Sequence, residues 1–127
     1  MSRKTIVVVG AGLAGLSAAE TLRAEGFDGQ VVLIGDEAHA PYTKPPLSKQ
    51  VLRGEMTIEE TAFRPTAWFA EKGIELRLGV RAAAIDPHAH RVTLADGDVQ
   101  PYDALLLATG GRARTLDVAG AHLDGVH

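Results

Sequence analysis

A chain of 127 residues has the length of one domain or of one part of a larger one, and 46% hydrophobic with 23% charged residues is the balance of a globular fold, not a disordered chain. A formal net charge of -3 gives no basis for nucleic-acid or anionic-membrane binding, which draw on an excess of Lys and Arg. With no cysteine, the chain cannot carry a disulfide, a thiolate zinc site, a Cys ligand set for an iron–sulfur cluster or a dithiol redox pair, so any redox chemistry must reside in a bound cofactor.

Arg3 and Lys4 precede an apolar stretch over residues 6–19, the outline of a signal peptide. Gly10, Gly12 and Gly15 interrupt it at spacings with a better explanation below, and no run approaches the ~18 apolar residues of a membrane helix. The expectation is a soluble, cytoplasmic protein without a membrane partner.

Thr5, Ile6, Val7, Val8 and Val9 form an apolar, β-branched run without alternation, which predicts a parallel strand buried on both faces. After Gly10-Ala11-Gly12, residues 13–24 read as a helix with Leu13, Leu16, Ala19 and Leu22 on its apolar side, ended by Gly26. Residues 30–34 read as a second buried strand, closed by Gly35-Asp36-Glu37, so residues 5–37 make one βαβ unit. Pro41, Pro45 and Pro46 then break any long element. Short helices are expected over residues 47–53 and 66–72, and Trp68 and Phe69 should pack the second into the core. Residues 74–78, 82–85 and 91–94 read as strands, the last running into a turn at Asp96-Gly97. Residues 104–108 predict a further buried strand, ended by Thr109-Gly110-Gly111. The fold class is therefore α/β: a parallel, Rossmann-like sheet with helices, plus a β-hairpin or meander insertion.

Gly10-Ala11-Gly12-Leu13-Ala14-Gly15 matches G-x-G-x-x-G in the context that gives the motif meaning, after a strand and at the opening of a helix. The first glycine permits the tight turn, the second lets a pyrophosphate approach the backbone, and the third permits close helix–strand packing. The helix N-terminus offers free N–H groups to the anion. An acid about 20 residues further on completes the pattern by accepting hydrogen bonds from a ribose, and Asp36 stands there, with Glu37 as the alternate.

With that loop, the segment Pro41-Tyr42-Thr43-Lys44-Pro45-Pro46-Leu47-Ser48-Lys49 and the strand end Leu107-Ala108-Thr109-Gly110-Gly111-Arg112, the chain closely resembles the N-terminal part of the FAD-dependent NAD(P)H ferredoxin reductases of bacterial oxygenase systems. These belong to the pyridine nucleotide-disulfide oxidoreductase superfamily. The resemblance runs over essentially the whole chain. It implies that residues 1–127 are the N-terminal segment of an FAD-binding domain, with the NAD-binding and C-terminal domains outside this chain, which is expected to be inactive as an isolated fragment. It implies FAD as cofactor, NAD(P)H as co-substrate and an iron–sulfur ferredoxin as electron acceptor. By the same resemblance, Gly10, Gly12, Leu13, Ala14 and Gly15 surround the FAD pyrophosphate, and Asp36 and Glu37 hold the adenosine ribose. Ala82 meets adenine through its backbone, Pro45 and Lys49 lie beside the flavin ring, and Thr109 and Gly110 flank the cofactor. Lys44 stands where that family usually has arginine, so it keeps the charge but not the bidentate fork, and its role stays open.

The remaining candidates have plainer readings. His88 and His90 lack the further ligands of a metal site. Arg112 and Arg114 suit a phosphate or a solvated loop equally. No Ser-His-Asp or Cys-His set and no catalytic acid–base side chain stands out, which suits a flavoprotein in which the cofactor carries the chemistry. Two alternatives stand beside the reductase: an NAD(P)-binding dehydrogenase domain, and a flavoprotein like apoptosis-inducing factor, whose DNA-binding side a charge of -3 does not support.

Overall fold

The uninterrupted β-branched run Thr5–Val9 becomes β1, an inner strand of a parallel sheet, with Val7, Val8 and Val9 buried. The structure is a computed structural model that describes residues 3–127. β2 (Gln30–Ile34) pairs with β1, Val7 opposite Val32 and Val9 opposite Ile34. Helix α1 (Leu13–Ala24) makes the crossover between them. It ends where Gly26 takes a positive φ and the Phe27 amide donates back to the Leu22 carbonyl at 2.9 Å. A short helix α2 (Thr66–Glu71) precedes β3 (Ile74–Arg77), which pairs with β2. After an antiparallel excursion through β4 (Ala82–Asp86), β5 (Arg91–Leu94) and β6 (Val99–Pro101), the chain returns as β7 (Ala104–Leu107) beside β1. The sheet order is β3-β2-β1-β7, and β4-β5-β6 form a separate three-stranded sheet.

Alternation along the inner strands sorts the core into two layers. Val8, Val31 and Leu33 face the helices and meet Leu16, Ala19 and Phe69. Val7, Val9, Val32 and Ile34 face the other way and meet Val92 and Leu94 of the antiparallel sheet. Both faces of β1 and β2 are thus covered, the condition under which parallel strands lose alternation and read as continuous apolar runs. Each of the enclosed Val, Leu, Ile and Phe side chains contributes about 1.5–3 kcal/mol through burial.

Three expectations need correction. Residues 47–53 form no α-helix: Pro45–Ser48 make one 3-10 turn, and Lys49 then takes φ -128, ψ -99, which interrupts helical propagation. A string of turns follows, with Arg53 bonded to Lys49 and Glu55 to Gln50. Leu13 is 60% exposed, because it sits in the first turn of α1, beyond the sheet, while Gly15, Leu16 and Ala19 make the buried face. β7 is not buried: Leu106 is 42% and Leu107 56% exposed, because β7 is an edge strand, with Leu106 on the open helix side beside Ile6, Ser17 and Leu22 and Leu107 on the opposite face.

Candidate functional site

The C-terminal ends of β1, β2 and β7 converge. Strand order reverses at β1, with β2 on one side and β7 on the other, and a crevice forms outside the strand ends at such a switch point. Backbone bonds fix its floor: Gly10 donates to the Ile34 carbonyl at 2.8 Å, and Ala108 donates to the Val9 carbonyl at 2.7 Å. Gly35 donates to Arg77 at 2.9 Å, and Val80 donates to Gly35 at 3.1 Å, which brings the β3–β4 connection up to the end of β2.

The three glycines of the loop differ physically. Gly10 holds φ 117°, and a Cβ there would collide with the Ala108 carbonyl. A Cβ on Gly15 would strike the Gly10 carbonyl and come within 3.2 Å of Leu33, so this glycine lets α1 seat on the sheet. A Cβ on Gly12 would meet nothing within 4 Å. Gly12 is the N-cap of α1, no side chain caps the helix, and its first turn holds no acid. The opening amides of α1 therefore lack intrahelical acceptors and face open space. A pyrophosphate fits this cradle: among the described residues its volume is free, its donors are unengaged, and the first turn of α1 itself carries no acid.

Two adjoining cavities share Gly10, Asp36, Thr109, Gly110, Gly111 and Arg112. One, of about 400 Å³, extends between Ile34 and the Val80-Arg81-Ala82 stretch. The other, of about 320 Å³, runs over Ala11 and Gly12 to Glu37, His39, Tyr42 and Lys44. Together they form one long groove with Asp36 in its middle. Asp36 is exposed and, among the described residues, makes no side-chain hydrogen bond. Glu37 is engaged: it accepts from the Tyr42 hydroxyl at 2.7 Å and lies 3.9 Å from the Lys44 ammonium. That hydrogen bond, then burial, then the negative charge of Glu37 raise the Tyr42 phenol above its ordinary pKa.

Of the residues expected at a site, Gly10, Gly12, Asp36, Glu37, Lys44, Ala82, Thr109 and Gly110 line this groove. Leu13 and Ala14 are exposed on the first turn of α1, and Gly15 is buried beneath it. Pro45 and Lys49 are exposed on the 3-10 turn and do not line the two cavities. Arg81, His39 and Tyr42 line the groove without having stood out as candidates, and Arg112 lines both cavities. The sequence signal for Tyr42 was its place in the P-Y-x-x-P-P segment beside Glu37; Arg81 and His39 gave none. Among the described residues no cluster of three or more His, Cys, Asp or Glu could hold a metal ion, and no helix is long and apolar enough to cross a membrane.

A family model for pyridine nucleotide-disulphide oxidoreductases matches residues 4–127. Rhodocoxin reductase of Rhodococcus erythropolis is 46% identical over 123 residues, which are 97% of this chain and 29% of that protein. The biphenyl dioxygenase system ferredoxin–NAD(+) reductase component of Paraburkholderia xenovorans (strain LB400) is 43% identical over 123 residues, 97% of this chain and 30% of that protein. The crystal structure of the covalent putidaredoxin reductase–putidaredoxin complex superposes with TM-score 0.86 at 42% identity, covering 94% of this chain and 29% of the matched chain. The chain thus spans under a third of the length of these relatives.

Proposed function

The chain belongs to the pyridine nucleotide-disulphide oxidoreductase family, and from that membership and the groove we propose that it is the FAD-binding part of an oxidoreductase that carries electrons from NAD(P)H through FAD to an iron–sulfur ferredoxin. The observation that carries the reading is the open cradle at Gly12, above uncapped helix amides, in a groove that also holds an unengaged carboxylate at Asp36. When bound, FAD supplies the redox chemistry that this cysteine-free chain lacks, taking up two electrons as hydride and giving them out singly.

The chain's own residues bind and orient. The opening amides of α1, at Leu13, Ala14 and Gly15, take the pyrophosphate, where fixed dipoles favour an anion. Asp36 accepts hydrogen bonds from the adenosine ribose, and the Ala82 backbone meets adenine at the far end of the groove. Thr109 and Gly110, at the end of β7, flank the cofactor from the other wall. Pro45 and Lys49 hold the flavin end, and Lys44 contributes a point charge beside it. The ferredoxin–NAD(+) reductase name of the Paraburkholderia xenovorans relative points to both the acceptor and the donor. A cytoplasmic location follows from the same reading.

The alternative of a plain NAD(P)-binding dehydrogenase domain fits less well. Such a domain covers both sheet faces with helices, whereas here the antiparallel β4-β5-β6 sheet covers one. The deciding experiment is the visible spectrum of the purified protein in its longest natural form, followed by NADH-driven ferredoxin reduction. Flavin bands with ferredoxin reduction support the proposal. A colourless protein that binds NAD supports the dehydrogenase alternative.

A further inference from the structure

Two acids sit at the end of β2, and their surroundings separate their roles. Asp36 lies at the junction of the two cavities with its carboxylate unengaged. Glu37 is tied by the Tyr42 hydroxyl at 2.7 Å and lies 3.9 Å from Lys44. Tyr42 is itself fastened at the base of a large loop. It bridges Ala62, while the Thr43 amide donates to Thr61 at 2.9 Å and the Phe63 amide donates to Pro41 at 3.0 Å. Residues 41–63 are therefore a loop closed on itself at the neck. Arg64, just past the neck, anchors it to Glu20 of α1 at 2.9 Å. Its side-chain ties to the end of β2 are the contacts made by Tyr42 and Lys44 with Glu37. The Glu37 backbone is fixed in turn, since its carbonyl accepts from Gly79 at 2.9 Å.

We propose that Glu37 is a positioning residue rather than a ribose ligand: its carboxylate latches Tyr42, and through Tyr42 the 41–49 segment, onto the end of β2, which leaves Asp36 as the acid that takes the ribose. The assignment rests on the FAD reading above. The latch closes the wall formed by Tyr42 and Lys44 over the groove beyond Gly12, on the flavin side of the pyrophosphate cradle. Losing it loosens the flavin end of the site and leaves the adenosine end intact. The Tyr42 phenol keeps its proton at neutral pH with or without Glu37, and the bond to Glu37 raises its pKa further.

The test compares FAD with ADP, which shares the adenosine and pyrophosphate but lacks the flavin. Both are titrated against this chain and its Asp36→Asn, Glu37→Ala, Tyr42→Phe and doubly substituted Glu37→Ala/Tyr42→Phe forms. Asp36→Asn weakens both ligands alike, by about tenfold or more. Glu37→Ala and Tyr42→Phe leave ADP affinity unchanged and weaken FAD by roughly three- to tenfold, with the double variant no worse than either single one. Ultraviolet titration of phenolate, which needs no ligand, shows Tyr42 ionising at lower pH in Glu37→Ala than in the parent. Loss of ADP affinity in Glu37→Ala equal to that in Asp36→Asn overturns the proposal, as do additive losses in the double variant or an unmoved phenol titration. A parent chain that binds neither FAD nor ADP overturns the cofactor reading, and with it this division of roles, even where the phenol titration shows the latch itself.

Discussion

Replacing Gly12 with valine separates binding from folding, because the three loop glycines differ in what surrounds them. Gly12 sits at φ -93, ψ -164, extended backbone that valine adopts freely, and its Cβ meets nothing within 4 Å. The folding cost is that of a poorer N-cap, about 1 kcal/mol. The Gly15→Ala control is different in kind: its Cβ drives into the Gly10 carbonyl and presses Leu33 at 3.2 Å, so α1 must lift from the sheet. Overpacking of that sort costs roughly 1–3 kcal/mol or more. For FAD the order reverses. The valine side chain fills the pyrophosphate's place, and losing two charge-assisted bonds of about 1.5–3 kcal/mol each weakens binding by at least roughly a hundredfold. Thermal melting by circular dichroism and titration of FAD fluorescence measure the two effects on the same samples. Gly12→Val that melts within a few degrees of the parent yet no longer binds FAD is the expected result. Parental FAD affinity in folded Gly12→Val would refute the cradle.

Asp36→Ala removes a ribose acceptor and should speed flavin release on dilution by about tenfold or more; unchanged retention in an Asp36 and Glu37 double replacement sinks the ribose assignment. The 127-residue chain by itself should associate in solution and reduce an acceptor no faster than free FAD with NADH, because Leu106 and Leu107 stand 42% and 56% exposed on an edge strand. Sedimentation showing a clean monomer, or turnover far above free flavin, would contradict this. Thr57 and Glu60 form a reciprocal cap, Thr57 amide to Glu60 carboxylate at 2.7 Å and Glu60 amide to the Thr57 hydroxyl at 3.3 Å, which lowers the Glu60 pKa. A depressed carboxyl pKa stabilises the fold above its unfolded value and loses that contribution as pH falls through the folded value. Titration of Glu60 by NMR should therefore run below the ordinary Glu range, and Thr57→Ala, which removes the hydroxyl but keeps the amide donor, should raise it only part of the way back.

The first βαβ unit was legible to the residue: Thr5–Val9, Leu13–Ala24 and Gln30–Ile34 follow the expected bounds. An unbroken β-branched run, a glycine turn and a C-terminal glycine are all local signals, and here tertiary packing agrees with each. The strand pattern read for β7 was also right, but not its burial, since four consecutive apolar residues look alike in an inner and an edge strand. β6 went unnamed because it is three residues long and ends in Pro101, where only pairing with β5 defines it. Residues 47–53 look helical by composition, and the backbone of Lys49, after two prolines with no N–H to give, decides otherwise. At the site, motif spacing brought forward Gly10, Gly12 and Asp36, which the fold gathers along one groove because a glycine turn and an acid at a strand end are local signals. It could not separate Asp36 from Glu37, since that distinction depends on Tyr42 folding back from the next loop.

The most direct measurement is calorimetric titration of the purified chain with FAD, ADP and NADH in parallel. The account predicts saturable FAD binding that ADP competes away and that Gly12→Val abolishes. Stoichiometric NADH binding, with no heat from FAD and no flavin carried through purification of any longer form, would contradict it.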